Sequence, residues 1–284
     1  MAQRQPISSP RRRAAALSLV SSSPGPAEGE TERWENGYRF QPNALTGGGV
    51  ADPCDAEAEF VPPTRPATEE FEPFIVWTGD RCSAFGFTAA NYEERAREML
   101  EEQESYFIAR ELWKGTQAQA SSWPNLFLAD ESSDTLSNGP TAVVSAIACL
   151  EQALAECGRG SRGMIHVTPQ LAAHLAALGN SLVRREGGML LTLQDTIVVA
   201  DAGYDGSGPD GTAAGDSQWA YATGMVTVRR SEPVNIPGSL SEALDRSDNT
   251  VAFLAQRLAS ASWDGQCHFA AEVDLATCLI GGAS

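Results

Sequence analysis

The segment NYEERAREMLEEQESYFIARELWKG, residues 91–115, decides how the rest of the chain is read. Asn91 is a good N-cap, Glu93 and Glu94 stand where the helix dipole favours anions, and Gly115 is a natural stop. Between them Tyr92, Ala96, Met99, Leu100, Phe107, Ile108 and Leu112 fall mainly on one stripe, with acids and arginines elsewhere. The spacing predicts a helix over 92–114, roughly 35 Å long at ~1.5 Å per residue. It is a half-exposed rod that must bury one face against something else.

Upstream, residues 1 to about 30 are rich in Ser, Pro, Arg and Gly and poor in aromatics, so they offer too little apolar area to offset chain entropy. They are expected to form a flexible arm whose deletion leaves the fold intact. From Trp34 to Phe87 the chain mixes aromatics with Gly47-Gly48-Gly49 and Pro62-Pro63, which reads as extended segments and turns. Phe74-Ile75-Val76-Trp77 is the clearest strand, with a turn expected at Thr78-Gly79-Asp80.

Downstream of the rod, Pro140 is expected to open a second helix carrying Val143, Ile147, Leu150 and Leu154 on one face, with Gly158 beyond its end. Gly163–Val167 reads as a buried strand, and Pro169 starts a short helix with Leu171, Leu175 and Leu178 that stops at Gly179. Met189–Leu193, Ile197–Ala200 and Ala222–Val228 read as strands, and the Gly-rich stretch Asp201–Asp216 as a surface loop. Val251–Leu258 fits strand and helix periods equally and is taken as a strand; Phe269, Ala271, Val273 and Leu275 alternate as another. Helix, strand, helix and strands together make an α+β protein.

At 284 residues the chain is long enough for one large domain or two small ones, and no window approaches the ~20 apolar residues of a bilayer span. Net charge is -17, yet Arg4, Arg11, Arg12 and Arg13 lie in the first thirteen positions, which hold no acid. The remaining body is more acidic still and repels phosphate backbones, which disfavours nucleic-acid binding and suits a container. The six cysteines form no C-x-x-C pair and no dense framework, so a reducing compartment is expected. The apolar run Ala14–Val20, broken by Ser18, barely reaches the lower limit of a secretory h-region, so no removed signal is expected.

Motifs for chemistry are weak. Tyr204-Asp-Gly-Ser-Gly-Pro-Asp-Gly211 gathers carboxylates among glycines but lacks the ligand order of a calcium loop, so a solvated turn is expected. Gly158-Arg-Gly-Ser-Arg-Gly163 follows a helix and precedes a strand, the reverse of a phosphate loop. His166, His174 and His268 lack metal-ligand spacing, and a nucleophile pair of Cys149 or Cys157 with His166 has no supporting signature. No catalytic, metal or cofactor site is expected.

The order of elements resembles the Hong Kong 97-type major capsid proteins of tailed bacteriophages, a fold shared with encapsulin shells. The likeness is carried by Glu104-Ser-Tyr-Phe-Ile-Ala-Arg-Glu-Leu-Trp-Lys-Gly115, similar to the family's spine helix, and by Gly163-Met-Ile-His-Val-Thr-Pro169, similar to the entry into its axial domain. The terminal segments Asn249–Arg257 and His268–Leu275 complete it. The resemblance implies an arm over 1–33, the arm's end and an extended loop over 34–90, the spine helix and peripheral domain over 91–139, an axial domain over 140–245, and peripheral return strands over 246–284. It implies a shell subunit assembling with itself into hexamers and pentamers in the host cytoplasm and ending in the virion, with scaffolding, portal and cement proteins as further partners. Ala51–Phe87 would overlap a neighbour, and Phe71, Phe74, Trp77, Phe85, Tyr204 and Asp205 would lie at subunit interfaces. The loop contains no lysine, and Lys114 at the rod's end is the only one in the chain, so no isopeptide weld from that loop is expected. The alternatives are an encapsulin-like compartment, a tail or baseplate adaptor, or an enzyme built on the Cys/His set.

Overall fold

A computed structural model describes residues 15–275 apart from 28–29, 51, 53, 55–61, 84–88, 180–181, 212–214, 239 and 248–249. In chain order the elements are α1 (Leu19–Ser22), a 3-10 turn (Glu32–Asn36), β1 (Tyr38–Phe40), β2 (Glu69–Phe71), β3 (Phe74–Ser83), α2 (Ala89–Lys114) and α3 (Thr116–Ser121). There follow β4 (Asp134–Thr135), α4 (Val143–Cys157), β5 (Met164–Val167), α5 (Pro169–Ala177), β6 (Val183–Glu186), β7 (Met189–Thr192), β8 (Ile197–Ala200) and β9 (Ser217–Thr223). The chain closes with β10 (Thr227–Arg230), β11 (Val234–Ile236), α6 (Leu240–Ala243), β12 (Leu244–Asp245), β13 (Thr250–Ser262) and β14 (His268–Asp274).

The rod forms, but it begins at Ala89, so Asn91 lies within the helix and does not cap it; the rod joins two sheets. Its N-terminal half lies on a sheet centred on β13, which pairs with β3 along one side and with β12, β11 and β10 along the other. Tyr92 stacks on Phe253 of that sheet, and Thr78 Oγ1 donates to the Ala96 carbonyl (3.1 Å). Its C-terminal half meets a seven-stranded sheet, ordered β4-β14-β9-β5-β8-β7-β6, through Trp113. Strand alternation gives that sheet two faces: Met164, Val199, Tyr221 and Ala270 look to the rod, while Ile165, Val198, Ala220 and Ala271 pack with Ile147, Leu150 and Leu154 of α4 and Leu171 and Leu175 of α5. Gly115, at φ +57, ends the rod in the left-handed region that glycine adopts without strain. Among the described residues, no helix is long and apolar enough to cross a membrane.

Several expectations need correction. The 140–245 unit is divided between the sheets: β10, β11 and β12 pair with β13, while β14, expected among the peripheral return strands, sits in the seven-stranded sheet. The strand read over Ala222–Val228 breaks at Gly224, because the chain passes there from one sheet to the other. The second helix begins at Val143, since Thr141 forms a bridge to Val273 and holds the backbone extended. Thr78–Asp80 is strand, because ten consecutive residues of β3 pair with β13.

The expected free arm docks from Leu17 onward, whereas residues 1–14 lie outside the described set. Leu19 is fully buried in the core, its N–H donates to Asp201 Oδ2 (2.9 Å), and the Ala200 N–H donates to the Leu17 carbonyl (2.8 Å). One leucine and an anchored turn carry too little periodicity to register in a composition dominated by Ser and Pro. Deleting all of 1–30 therefore removes a core residue. The cysteine reading also changes: Cys157 at the end of α4 is bonded to Cys267 just before β14, a pairing across 110 residues that spacing alone does not reveal.

Candidate assembly surface

Where the rod reaches the seven-stranded sheet, aromatic and polar groups lock together. Trp113 is buried between Tyr204 and Tyr221, with ring centroids 4.9 and 4.8 Å away, and its indole N–H donates to Ser207 Oγ (3.0 Å). Gly203 lies against the rod so closely that a Cβ there would stand 2.2 Å from the Tyr106 carbonyl oxygen. Gly203, like Gly208 against the Trp219 indole, thus serves close approach. The first half of the expected surface loop, 201–208, is largely buried while 210, 211, 215 and 216 are exposed, and its Asp201 accepts from Leu19 N–H and Ser105 Oγ–H.

His166 is fully buried in this brace, between Tyr204 Oη (2.9 Å from Nδ1) and Thr223 Oγ1 (3.0 Å from Nε2). Thr223 donates its own proton to the Gly224 carbonyl (2.8 Å), so its oxygen accepts from Nε2–H and Nδ1 accepts from the tyrosine. A packed, neutral imidazole satisfies all of this. Burial, aided by the nearby His268, holds its pKa down to about 3. Its folded pKa lies below the unfolded value near 6.5, so its contribution is complete above about pH 6.5 and is lost as pH falls toward 3. The melting temperature should fall over that window, by up to ~1.4 kcal/mol of stability per pH unit. His166→Gln should flatten that slope; identical slopes in the two proteins would assign the acid sensitivity to other groups.

The sheet around β13 has one face under the rod and one face open. Directly paired residues share a face, so Phe74, Val76 and Thr78 point to the rod, while Ile75 with Leu258, Trp77 with Gln256 and Val234, and Leu254 with Ile236 form cross-strand rows on the other side. Ile75 is 56% exposed, Trp77 59% and Val234 57%, values ordinary singly but unusual side by side. The rows form part of the floor of a groove of about 1000 Å³ that runs along β3 to Phe107 and Trp123. At the other end, Tyr38 covers part of the same face, its hydroxyl 2.7 Å from Ser260 Oγ and its ring beneath the Arg229 guanidinium.

The expected interface residues separate. Trp77 is on this open face. Phe71 is buried, stacked between Tyr38 and Phe40, and Phe74 is buried under the rod. Alternation along β3 places Phe74 and Trp77, three residues apart, on opposite faces, so an aromatic-rich segment does not point as a unit. Tyr204 is buried on Trp113, and Asp205 is exposed and ion-paired with Lys114. Phe85 lies outside the described residues. The extended loop expected over Ala51–Phe87 is also displaced: β1 and β2 pair, so the segment between them is 41–68, of which 51, 53 and 55–61 lie outside the described residues, while 72–83 is built into the subunit. Gln41 Nε2 donates to the Pro66 carbonyl (3.1 Å) and Gln266 Nε2 to the Asn43 carbonyl (2.7 Å), which ties its root to the body.

Ile75, Val234, Leu254 and Ile236 escaped the sequence reading. The signal was their alternation with buried partners, which becomes readable only once the strand pairing is known. Phe74→Asp should unfold the subunit, since an unpaired carboxylate under the rod costs several kcal/mol. Trp77→Asp should leave the melting temperature within a few degrees of the unmodified chain while abolishing association. Calorimetry with sedimentation velocity checks both, and equal melting losses would refute the division of faces.

Among the described residues, no group of three or more His, Cys, Asp or Glu side chains is placed to hold a metal ion. No protein-family model and no curated protein matches the sequence. Solved structures do match in fold. A chain described as the capsid of an empty GTA particle aligns with a TM-score of 0.55 at 12% identity, covering 95% of this chain and 95% of that one. A chain of Gordonia phage Cozz aligns at 0.54 and 10%, covering 97% and 92%, and one of Mycobacterium phage Bobi at 0.52 and 12%, covering 97% and 96%. The alignments run nearly end to end, so this chain has the Hong Kong 97-type capsid fold.

Proposed function

We propose that this chain is a structural subunit of an icosahedral phage head, assembling with copies of itself around a genome and carrying out no catalysis. The observation that carries the reading is the open apolar face of the β13 sheet on a chain with a capsid fold. A single copy leaves adjacent large apolar side chains in water, and a second copy would cover them at ~25 cal/mol per Å². On the shell reading the contact of this face is heterologous, one surface meeting a different surface on the next copy, which generates rings. Trp77 anchors that contact and Asp205 lies at a second one, near the symmetry axis. The loop over 41–68 overlaps the neighbour, the seven-stranded sheet with α4 and α5 is the axial domain, and the β13 sheet with the N-terminal half of the rod is the peripheral domain.

Negative-stain microscopy of the expressed protein, alone and with the products of neighbouring genes, tests this. Closed shells, or rings of five and six subunits, are the expected result. A protein that stays monomeric in both conditions, or that appears only in tails, would overturn it.

A further inference from the structure

The groove on the open face has a charge that selects its occupant. Its floor is apolar, with Ile75, Trp77 and Leu258, but Glu35, Glu72 and Glu111 line it against a single cation, Arg110. None of the three carboxylates is held in an ion pair among the described residues, but Glu111 already accepts the backbone N–H groups of Gln117 and Ala118, which leaves Glu35 and Glu72 to face an occupant. The groove therefore favours a chain segment that is both basic and partly apolar.

Two segments of the chain compete for it. The loop tip, residues 46–66, carries Asp52, Asp55, Glu57 and Glu59 against Arg65 alone, and like charge disfavours its entry. The first fourteen residues carry Arg4, Arg11, Arg12 and Arg13 and no acid, with Pro6, Ile7 and Pro10 interspersed. We propose that the groove binds the arginine-rich segment 1–14 of a second copy, an inference that rests on the shell reading. A chain's own segment is poorly placed. Leu19 is seated beside Ser105 and Asp201, whereas the groove borders Phe107, and two residues on a helix lie about 200° apart, so the segment would have to wrap the rod. A neighbour's segment meets no such obstacle.

Two full-length variants test the contact. One reverses the groove, Glu35→Arg with Glu72→Arg; the other reverses the arm, Arg11→Glu with Arg12→Glu and Arg13→Glu. Each alone should show at least a tenfold loss of assembled material by sedimentation velocity, with an unchanged melting temperature. An equimolar mixture should recover assembly, because the reversed groove accepts the reversed arm of the other chain. The inference falls if either variant assembles like the unmodified chain, if the mixture is no better than its components, or if the melting temperature drops in parallel with assembly. If the unmodified chain itself forms no particles, the shell reading is what fails.

Discussion

Trp113→Ala is expected to destabilise the subunit by about 3–5 kcal/mol, the range for emptying a fully buried aromatic site. Its side chain is fully buried and occupies the junction of the rod, the Asp201–Gly211 segment and the seven-stranded sheet. Truncation removes two ring contacts and leaves Ser207 Oγ without its indole donor. Trp113→Phe keeps most of the volume and should lose about half as much, whereas Phe107→Ala, on the open side of the same helix, should change stability by less than about 1 kcal/mol. Urea unfolding of the three variants checks the order. A loss at Trp113 no larger than that at Phe107 would mean that the rod is not held by this junction.

Glu104→Ala should destabilise comparably, by about 3–5 kcal/mol, for an electrostatic reason. The Glu104 side chain is 5% exposed and reaches Arg257 Nη1 at 3.1 Å, and it also pairs with Arg230. Arg257 has only 10% of its side chain exposed, so removing the carboxylate strands a guanidinium away from water. Arg230 is far more exposed and can turn outward, so Arg257 carries most of the penalty. Arg257→Leu combined with Glu104→Leu should recover a substantial part of the loss, since replacing both members of a buried pair by apolar groups is often neutral. A double variant as unstable as Glu104→Ala would locate the defect in packing.

Glu104 also shows where sequence reading stops. In a helix whose exposed face is crowded with Glu93, Glu94, Glu98, Glu101 and Glu102, one more glutamate reads as surface. Its two partners lie on β10 and β13, more than a hundred residues away, and nothing local announces them. Phe107 errs in the opposite direction: it continues the apolar stripe yet is partly exposed and faces the groove.

The elements legible in the sequence were those whose own residues impose them. A rod ending at Gly115, the stripe Ile147, Leu150 and Leu154, the run Met164–Val167 followed by Pro169, and the run Ile197–Ala200 all announce themselves through period and local stop and start signals. That order was enough for the fold. What only the tertiary structure decided depends on partners distant in the chain: the docking of Leu19, the bond between Cys157 and Cys267, the burial of Phe71, Phe74 and Tyr204, and the exposure of the rows around Trp77. Helical period and capping are properties of a few consecutive residues, whereas the face a strand residue presents is settled by which strand lies beside it and what covers the sheet.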